Sequence, residues 1–205
     1  MDKKYELTDE TKEYYGITLH RIKALRDFGY VKKGDLGGWI EKEDNLSHEG
    51  DCWIYGNAIV YNDAKICNNA IVSGNAKVCG NAEVYGNAEV YCNAEVYDNA
   101  EVYGDTRVYS NARVYGDVEV SGNIILVNNA YISSNNDYIT IGPIGSRNDY
   151  TTFYLDKDKN ILVSCGCFND TIDNFKEEVI KVYKDNIYGK EYLNSIELAK
   201  IKLGE

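Results

Sequence analysis

The sequence predicts a mainly β protein: a left-handed parallel β-helix with an N-terminal cap and a small C-terminal α+β unit. Three observations predict this fold. Thirteen six-residue repeats follow one another without a break from residue 55 to residue 132. The sixth position of every repeat is aliphatic, and the fourth position is small in most of them. One inward aliphatic side chain per six residues fits no α-helix, but it fits short strands separated by tight corners.

The coil is predicted over residues 49–132, with the cap before it at 1–48 and the α+β unit after it at 133–205. The aliphatic positions run in steps of six from Ile54 to Ile132. Gly-Asn, Asn-Asp, Asn-Asn and Gly-Asp pairs supply the positive φ angles that tight corners need. The pattern resembles the hexapeptide-repeat family, whose triangular coils use three repeats, about 18 residues, per turn. The resemblance implies roughly four to five coils.

Residues 18 apart should then stack at the ~4.8 Å spacing of neighbouring strands. This stacking predicts two charge ladders with alternating signs and one ladder of three neighbouring carboxylates. They are Lys77, Glu95, Arg113; Ile71, Glu89, Arg107; and Lys65, Glu83, Glu101, Glu119. Outward tyrosines should stack in the same way on all three faces, as Tyr85 with Tyr103, Tyr91 with Tyr109, and Tyr97 with Tyr115. We interpret these rings as stabilising cross-strand packing, with an oligomer interface on one face as the alternative.

The flanks should close the ends of the coil, because an open β-helix end exposes apolar core and unpaired backbone. Trp39 and Trp53 are the expected plugs of the first coil. In the C-terminal unit, residues 150–155 and 161–165 predict a β-hairpin. Thr171 is expected to cap a first helix, and a second helix follows a break at residues 186–189.

The net charge and the cysteines indicate which classes of partner and which cell compartment to expect. The net charge is −11, and no segment is basic, so general nucleic-acid binding is not expected; an acidic mimic of nucleic acid stays open. The N-terminus has no apolar leader, and no later segment approaches a membrane span. We therefore predict a cytoplasmic protein whose six cysteines are reduced.

Two runs outside the repeats carry a further resemblance. They are LHRIKALRDFGYVKKGDLGGWIEKEDNLSHEGDCWIYGNA and IGPIGSRNDYTTFYLDKDKNILVSCGCFNDTIDNFKEEV. Both are similar to segments of hexapeptide-repeat proteins from bacteria and, especially, phages and prophages, which are often labelled transferases. With the repeats, the resemblance covers most of the chain. It implies the host cell's cytoplasm if the protein is phage-encoded, and it implies no particular activity.

The best-known activity of the hexapeptide-repeat family is acyl transfer from acetyl-CoA or a related donor, with a histidine as general base. This chain has only His20 and His48, and its repeats leave no loop to form an acceptor pocket. A capping role is therefore favoured for His48. Two histidines cannot supply the three zinc ligands of the related carbonic anhydrases. Cys165 and Cys167 are a weak metal signal and are expected to pack in the small core. No metal and no cofactor are predicted.

The glycine-rich segment 142–148 is the candidate ligand site. It is expected to link a helix to the hairpin, and it holds an arginine in an acidic protein. We predict that Ser146, Arg147 and Asn148 bind a phosphate or a carboxylate. The leading hypothesis is a non-enzymatic, homo-oligomeric phage-type protein, a dimer or a trimer. It would inhibit a bacterial defence system by binding a host protein or sequestering a nucleotide-like ligand. The alternatives are an acyltransferase using His48 and a virion or assembly component.

Overall fold

A β-helix of about five turns forms the body of the protein, as seen in a computed structural model that describes residues 3–204. The fold prediction is confirmed. The coil strands are mostly two residues long because each side of the triangle needs only one inward aliphatic residue and one outward neighbour. They are β3 (Leu36–Ile40), β4 (Trp53–Ile54), β5 (Ile59–Val60), β6 (Lys65–Ile66), β7 (Ile71–Val72), β8 (Lys77–Val78), β9 (Glu83–Val84), β10 (Glu89–Val90), β11 (Glu95–Val96), β12 (Glu101–Tyr103), β13 (Arg107–Val108), β14 (Arg113–Val114), β15 (Glu119–Ser121), β16 (Ile125–Leu126) and β17 (Tyr131–Ile132).

From β4 onwards every third coil strand stacks in parallel, and β3 pairs with β5, so the coil has three faces. The first face contains β3, β5, β8, β11, β14 and β17. The second contains β4, β7, β10, β13 and β16, and the third contains β6, β9, β12 and β15. The aliphatic and small positions line the interior, where Val96 and Ala94 are fully buried. The corners use positive φ angles, as at Asn62 (57°) and Gly74 (71°).

The outward side chains stack as the 18-residue spacing predicts. Glu95 is in register with Lys77 and Arg113 on the first face. Glu101 is in register with Glu83 and Glu119 on the third. The three predicted tyrosine pairs are stacked, with ring centroids 4.7, 4.7 and 5.0 Å apart. The repeats alone therefore determine which outward residues meet.

The N-terminal segment closes one end of the coil. β1 (Tyr5–Tyr14) and β2 (Ile17–Ala24) form an antiparallel hairpin that extends the first face. Residues of the predicted cap also enter the coil, because β3 pairs in parallel with β5. A short 3-10 helix, Glu43–Asn45, lies across the end, and the buried Asn45 amide donates to the carbonyl of Ala64 at 2.8 Å. The buried polar side chain at this end of the coil is therefore hydrogen-bonded.

Trp39 and Trp53 are both expected to plug the first coil, but only Trp53 does so. Trp53 fills the interior of the first coil and is 1% exposed. Trp39 instead packs outside the coil with Leu19 and Ile59, beneath the β1–β2 hairpin. The alternation of side chains along a strand explains the difference, since Trp39 is paired with the outward Ile59 whereas Ile40 faces inward with Val60.

The C-terminal unit is a four-stranded antiparallel sheet followed by two helices. Its elements are β18 (Tyr138–Ile144), β19 (Asp149–Leu155), β20 (Ile161–Cys165), β21 (Phe168–Thr171), α1 (Ile172–Tyr183) and α2 (Ile187–Leu203). The predicted hairpin is present as β19 and β20, and Thr171 caps α1 by accepting from the Asn174 amide. No helix within residues 3–204 is both long and apolar enough to cross a bilayer.

Two boundaries differ from the predictions. The glycine-rich segment is the end of β18 and the turn to β19, so it joins two strands rather than a helix and a strand. The break between the helices ends earlier than residue 189, because the Asn186 side chain accepts from the Gly189 amide and starts α2 at Ile187.

Candidate functional site

The three predicted ligand residues lie in the exposed β18–β19 turn. The Ser146 hydroxyl is hydrogen-bonded to the Tyr183 hydroxyl at 2.9 Å. The Arg147 guanidinium donates through Nη2 to Cys167 Sγ at 3.8 Å. Asn148 has a φ of 49°, and its amide donates to the Gly145 carbonyl, so it shapes the turn. Ser146 and Arg147 therefore contact neighbouring elements, whereas Asn148 sets their direction.

Arg147 stands over a cavity of about 270 Å³ between the sheet and helix α1, which we call the Arg147 pocket. Its wall is mostly aromatic and aliphatic, with a few polar side chains. The lining residues are Arg147, Cys165, Cys167, Phe168, Phe175, Glu178, Val179, Val182, Tyr183 and Tyr192. An apolar cavity with a small number of converging polar groups is the usual form of a small-molecule site.

Three local features build this pocket. Helix α1 turns Phe175 and Val179 towards the sheet. Gly145 packs so closely on Tyr192 that an added Cβ would lie 1.9 Å from its hydroxyl oxygen. Gly166, between the two cysteines, has a φ of +61°, and an added Cβ would lie 2.1 Å from Arg147 Nη1. The two glycines therefore let the turn and the guanidinium approach the pocket wall.

The charges around the pocket leave the guanidinium available. Arg147 forms no ion pair with any residue from 3 to 204. Its contact with Cys167 raises the pKa of Arg147 further, so the group stays charged. Glu178 supplies a carboxylate to the lining and pairs with Lys181 at 2.9 Å. Burial raises the pKa of the Tyr192 hydroxyl, which keeps that wall neutral.

Of the two cysteines at the Arg147 pocket, Cys165 is half-buried in its wall and Cys167 lies at the protein surface. Cys165 is half-buried and accepts from the Thr151 hydroxyl at 3.3 Å. Cys167 is exposed beside Arg147, so it does not pack in the small core as expected. Both thiols are free. In the described part of the chain, no cluster of His, Cys, Asp and Glu has the arrangement of a metal site.

His48 is held in a state that does not suit a general base. Its Nδ1 accepts from the Lys4 backbone amide at 3.2 Å, so the neutral ring carries its proton on Nε2. That Nε2 is buried and has no hydrogen-bond partner within residues 3–204. Burial lowers the pKa of His48, and its ring stacks on Tyr5 at 4.4 Å. Neither ring nitrogen is therefore free to take a proton from a substrate.

Comparison with known proteins gives one informative likeness. Over 73 residues, 31% of this chain and 22% of the relative, the chain is 38% identical to the protein named uncharacterized acetyltransferase YdcK of Escherichia coli strain K12. No family model matches the chain. The match spans well under two thirds of the relative's own length. With the β-helix of about five turns, it supports a hexapeptide-repeat β-helix protein.

This likeness corrects the expectation that the protein is not an enzyme. That expectation was based on the scarcity of histidines and on the uninterrupted repeats, and it is wrong in the light of a relative named as an acetyltransferase. The physical reason is that acyl transfer does not need a histidine, because a carboxylate or another group can accept the proton. The missing acceptor loop is also no obstacle, since the C-terminal unit supplies a cavity outside the coil.

Proposed function

We propose that the protein is an acyltransferase that binds an acyl thioester, such as acetyl-CoA, with the acyl end in the Arg147 pocket. The likeness to the protein named as an acetyltransferase is the observation that carries the proposal. The β-helix with an appended pocket is a compatible scaffold, although a fold does not by itself define a reaction. The thioester is a substrate here, so no resident cofactor is required.

The pocket suits both parts of an acyl group, its apolar chain and its carbonyl oxygen. The aromatic and aliphatic wall suits the acyl chain, and the guanidinium of Arg147 suits the carbonyl oxygen. When an acceptor attacks the carbonyl carbon, negative charge develops on that oxygen, and a positioned donor stabilises it. Arg147 has no ion pair within the described residues that would compete for its donors.

The transfer also needs a proton acceptor. In the proposed step the acceptor's oxygen or nitrogen attacks the thioester carbonyl, the carbon–sulfur bond breaks, and the coenzyme leaves as a thiol. Glu178 lines the same cavity as Arg147. As a carboxylate base it can take the attacking group's proton and then pass it to the departing sulfur, which makes the free thiol. His48 has no place in this mechanism because its free nitrogen carries a proton and is buried.

The first experiment measures binding and transfer together. Purified protein is mixed with acetyl-CoA, binding is read by native mass spectrometry and calorimetry, and free coenzyme thiol is followed with a panel of hydroxyl and amine acceptors. Arg147→Ala should weaken binding or transfer roughly 10- to 100-fold, the usual effect of losing one hydrogen bond to a charged group. Lys190→Ala removes an exposed cation from α2, outside the pocket lining, and should change neither.

Failure to bind or turn over acetyl-CoA and longer acyl-CoA donors would overturn the proposal, as would an Arg147→Ala variant with full activity. Native mass spectra also report the oligomeric state, for which a dimer or a trimer is proposed. The same spectra would reveal a retained host protein or a nucleotide, the outcome expected of a phage-type inhibitor of bacterial defence.

A further inference from the structure

Two hairpins overhang the same face of the coil and leave a groove between them. The β1–β2 turn, with Tyr14 and Tyr15, stands at one end of the first face. The β19–β20 connection stands at the other, where Asp156 forms a bridge with Ala130. Cavities of about 300 and 550 Å³ lie beside the two hairpins, and Glu95 lines both of them. They are therefore parts of one surface, which we call the first-face groove.

Tyrosines are concentrated along this groove. Tyr14 contacts Tyr15 and Tyr61 edge to face, with ring centroids 4.7 and 5.6 Å apart. Tyr97 stacks on Tyr115 at 5.0 Å, and Tyr115 meets Tyr131 at 4.9 Å. The repeats distribute tyrosines over all faces, but the N-terminal hairpin adds two more to this face alone. The result is a row of rings that is unlike the simple stacked pairs of the other faces.

Tyr15 is the most unusual member of the row. It is the first residue of a two-residue turn and has a φ of 50°, a left-handed conformation that costs a bulky residue energy and favours asparagine or glycine. Its ring is 89% exposed, so core packing does not explain a tyrosine there. A strained position that presents an aromatic ring to solvent at the edge of a cavity is suited to contact a ligand.

The groove offers hydrogen bonds of both kinds and no net charge. Glu95 pairs with Lys77 and Arg113, each at 3.0 Å, and the far end adds Asp156, Lys157 and Asp158. Three cations thus face three carboxylates. A ladder of amides, Asn93, Asn111 and Asn129, borders the same cavity, and an amide can both donate and accept.

We propose that the first-face groove binds a neutral oligosaccharide. Such a chain has apolar C–H faces that pack on aromatic rings, and hydroxyl groups that pair with amides, carboxylates and cations alike. A phosphate-bearing ligand fits less well, because carboxylates stand in the middle and at one end of the groove. The groove shares no lining residue with the Arg147 pocket, so this inference does not depend on acyl transfer.

The test uses Tyr15→Asn, which creates the favoured Asn-Gly turn and removes the ring without loosening the hairpin. The matched control is Tyr30→Asn, at a tyrosine that is 93% exposed and outside the groove. The full chain is screened against immobilised neutral gluco-, galacto- and manno-oligosaccharides, and the best binder is titrated by calorimetry at low and high salt. Tyr15→Asn should weaken binding roughly three- to tenfold, while Tyr30→Asn should leave it unchanged.

Salt and the Arg147→Ala variant separate the remaining outcomes. Affinity for an uncharged ligand should hardly change between low and high salt, and Arg147→Ala should not affect it. Absence of binding to every neutral oligosaccharide would overturn the proposal. Binding that Tyr15→Asn leaves intact would overturn it too, as would displacement of the sugar by acetyl-CoA, which would mark the groove as a coenzyme site. Loss of acyl transfer alone would contradict only the proposed function.

Discussion

Neighbouring residues of one turn have separate roles at the candidate site. Asn148 adopts a φ of 49°, which its short polar side chain tolerates, and so allows a tight connection between β18 and β19. Ser146 ties the turn to α1 through Tyr183. Arg147 is then left above an apolar cavity with a thiol as its hydrogen-bond partner. The cation is available to a ligand because its surroundings hold the backbone but leave the guanidinium without an ion pair within residues 3–204.

The proposed base gives a prediction at the scale of one atom. Glu178→Gln keeps the shape of the pocket wall but cannot accept a proton, so kcat for acyl transfer should fall roughly 100-fold or more while KM hardly changes. Steady-state kinetics at several pH values measure this. Glu177→Gln is the control, since Glu177 is exposed and lies outside the pocket lining. Equal rates for the two variants would exclude Glu178 as the base.

At the scale of the element, each coil strand is too short to be stable alone, and its neighbours 18 residues away supply its hydrogen bonds. The amide of Glu95 donates to Ala112 at 2.9 Å, and that of Lys77 donates to Ala94 at 2.9 Å. Outward side chains are brought into contact by the same register. Whether neighbouring side chains attract or repel each other then depends only on the charges that the repeats place there. The first face stacks opposite charges, whereas the third stacks carboxylates.

Reversing one charge on each of these two faces should therefore have opposite effects. Glu119→Lys places a cation beside Glu101 in the carboxylate ladder and should raise the free energy of unfolding by about 0.5 kcal/mol. Arg113→Glu breaks the pair with Glu95 and should lower it by a similar or larger amount. Urea titrations at low and high salt measure both changes, and salt should reduce each. Shifts of the same sign would contradict the register as the cause.

The coil was predictable residue by residue because its period repeats locally, whereas the sites arise from contacts distant in sequence. Val96 inward and Glu95 outward follow from the hexads alone. Trp39 was misplaced because its partner Leu19 belongs to a hairpin that the repeats do not describe. Arg147 is predicted as a site residue because it is an arginine in a glycine-rich segment, but its pocket needs helix α1 and Tyr192, which are 25 to 45 residues further along the chain. The turn at Tyr15 is not among the sequence predictions, although Tyr-Gly between two strand-like runs is a signal for it.

At the scale of the whole molecule, one strand joins the coil to the C-terminal unit. Tyr154 and Phe153 are adjacent in β19 and point to opposite sides of the sheet. Tyr154 is fully buried in the same core as the coil residues, so it closes the second end of the β-helix. Phe153 is fully buried in the other core, with Phe175 and Tyr192. The pocket and the coil are thus built on the two faces of one strand.

This arrangement predicts that two neighbouring substitutions with similar costs will have different consequences. Tyr154→Ala and Phe153→Ala should each lower stability by about 3–5 kcal/mol, because each leaves a cavity in a packed core. Tyr154→Ala opens the coil end, so hydrogen exchange should speed up in the last coil strands, β16 and β17, and the Arg147 pocket should be less affected. Phe153→Ala should instead loosen α1 and weaken acyl-thioester binding while the coil amides stay protected. Exchange read by mass spectrometry distinguishes the two patterns. If both variants loosen the coil and the pocket to the same degree, β19 does not separate two cores, and the molecule unfolds as one unit from either side.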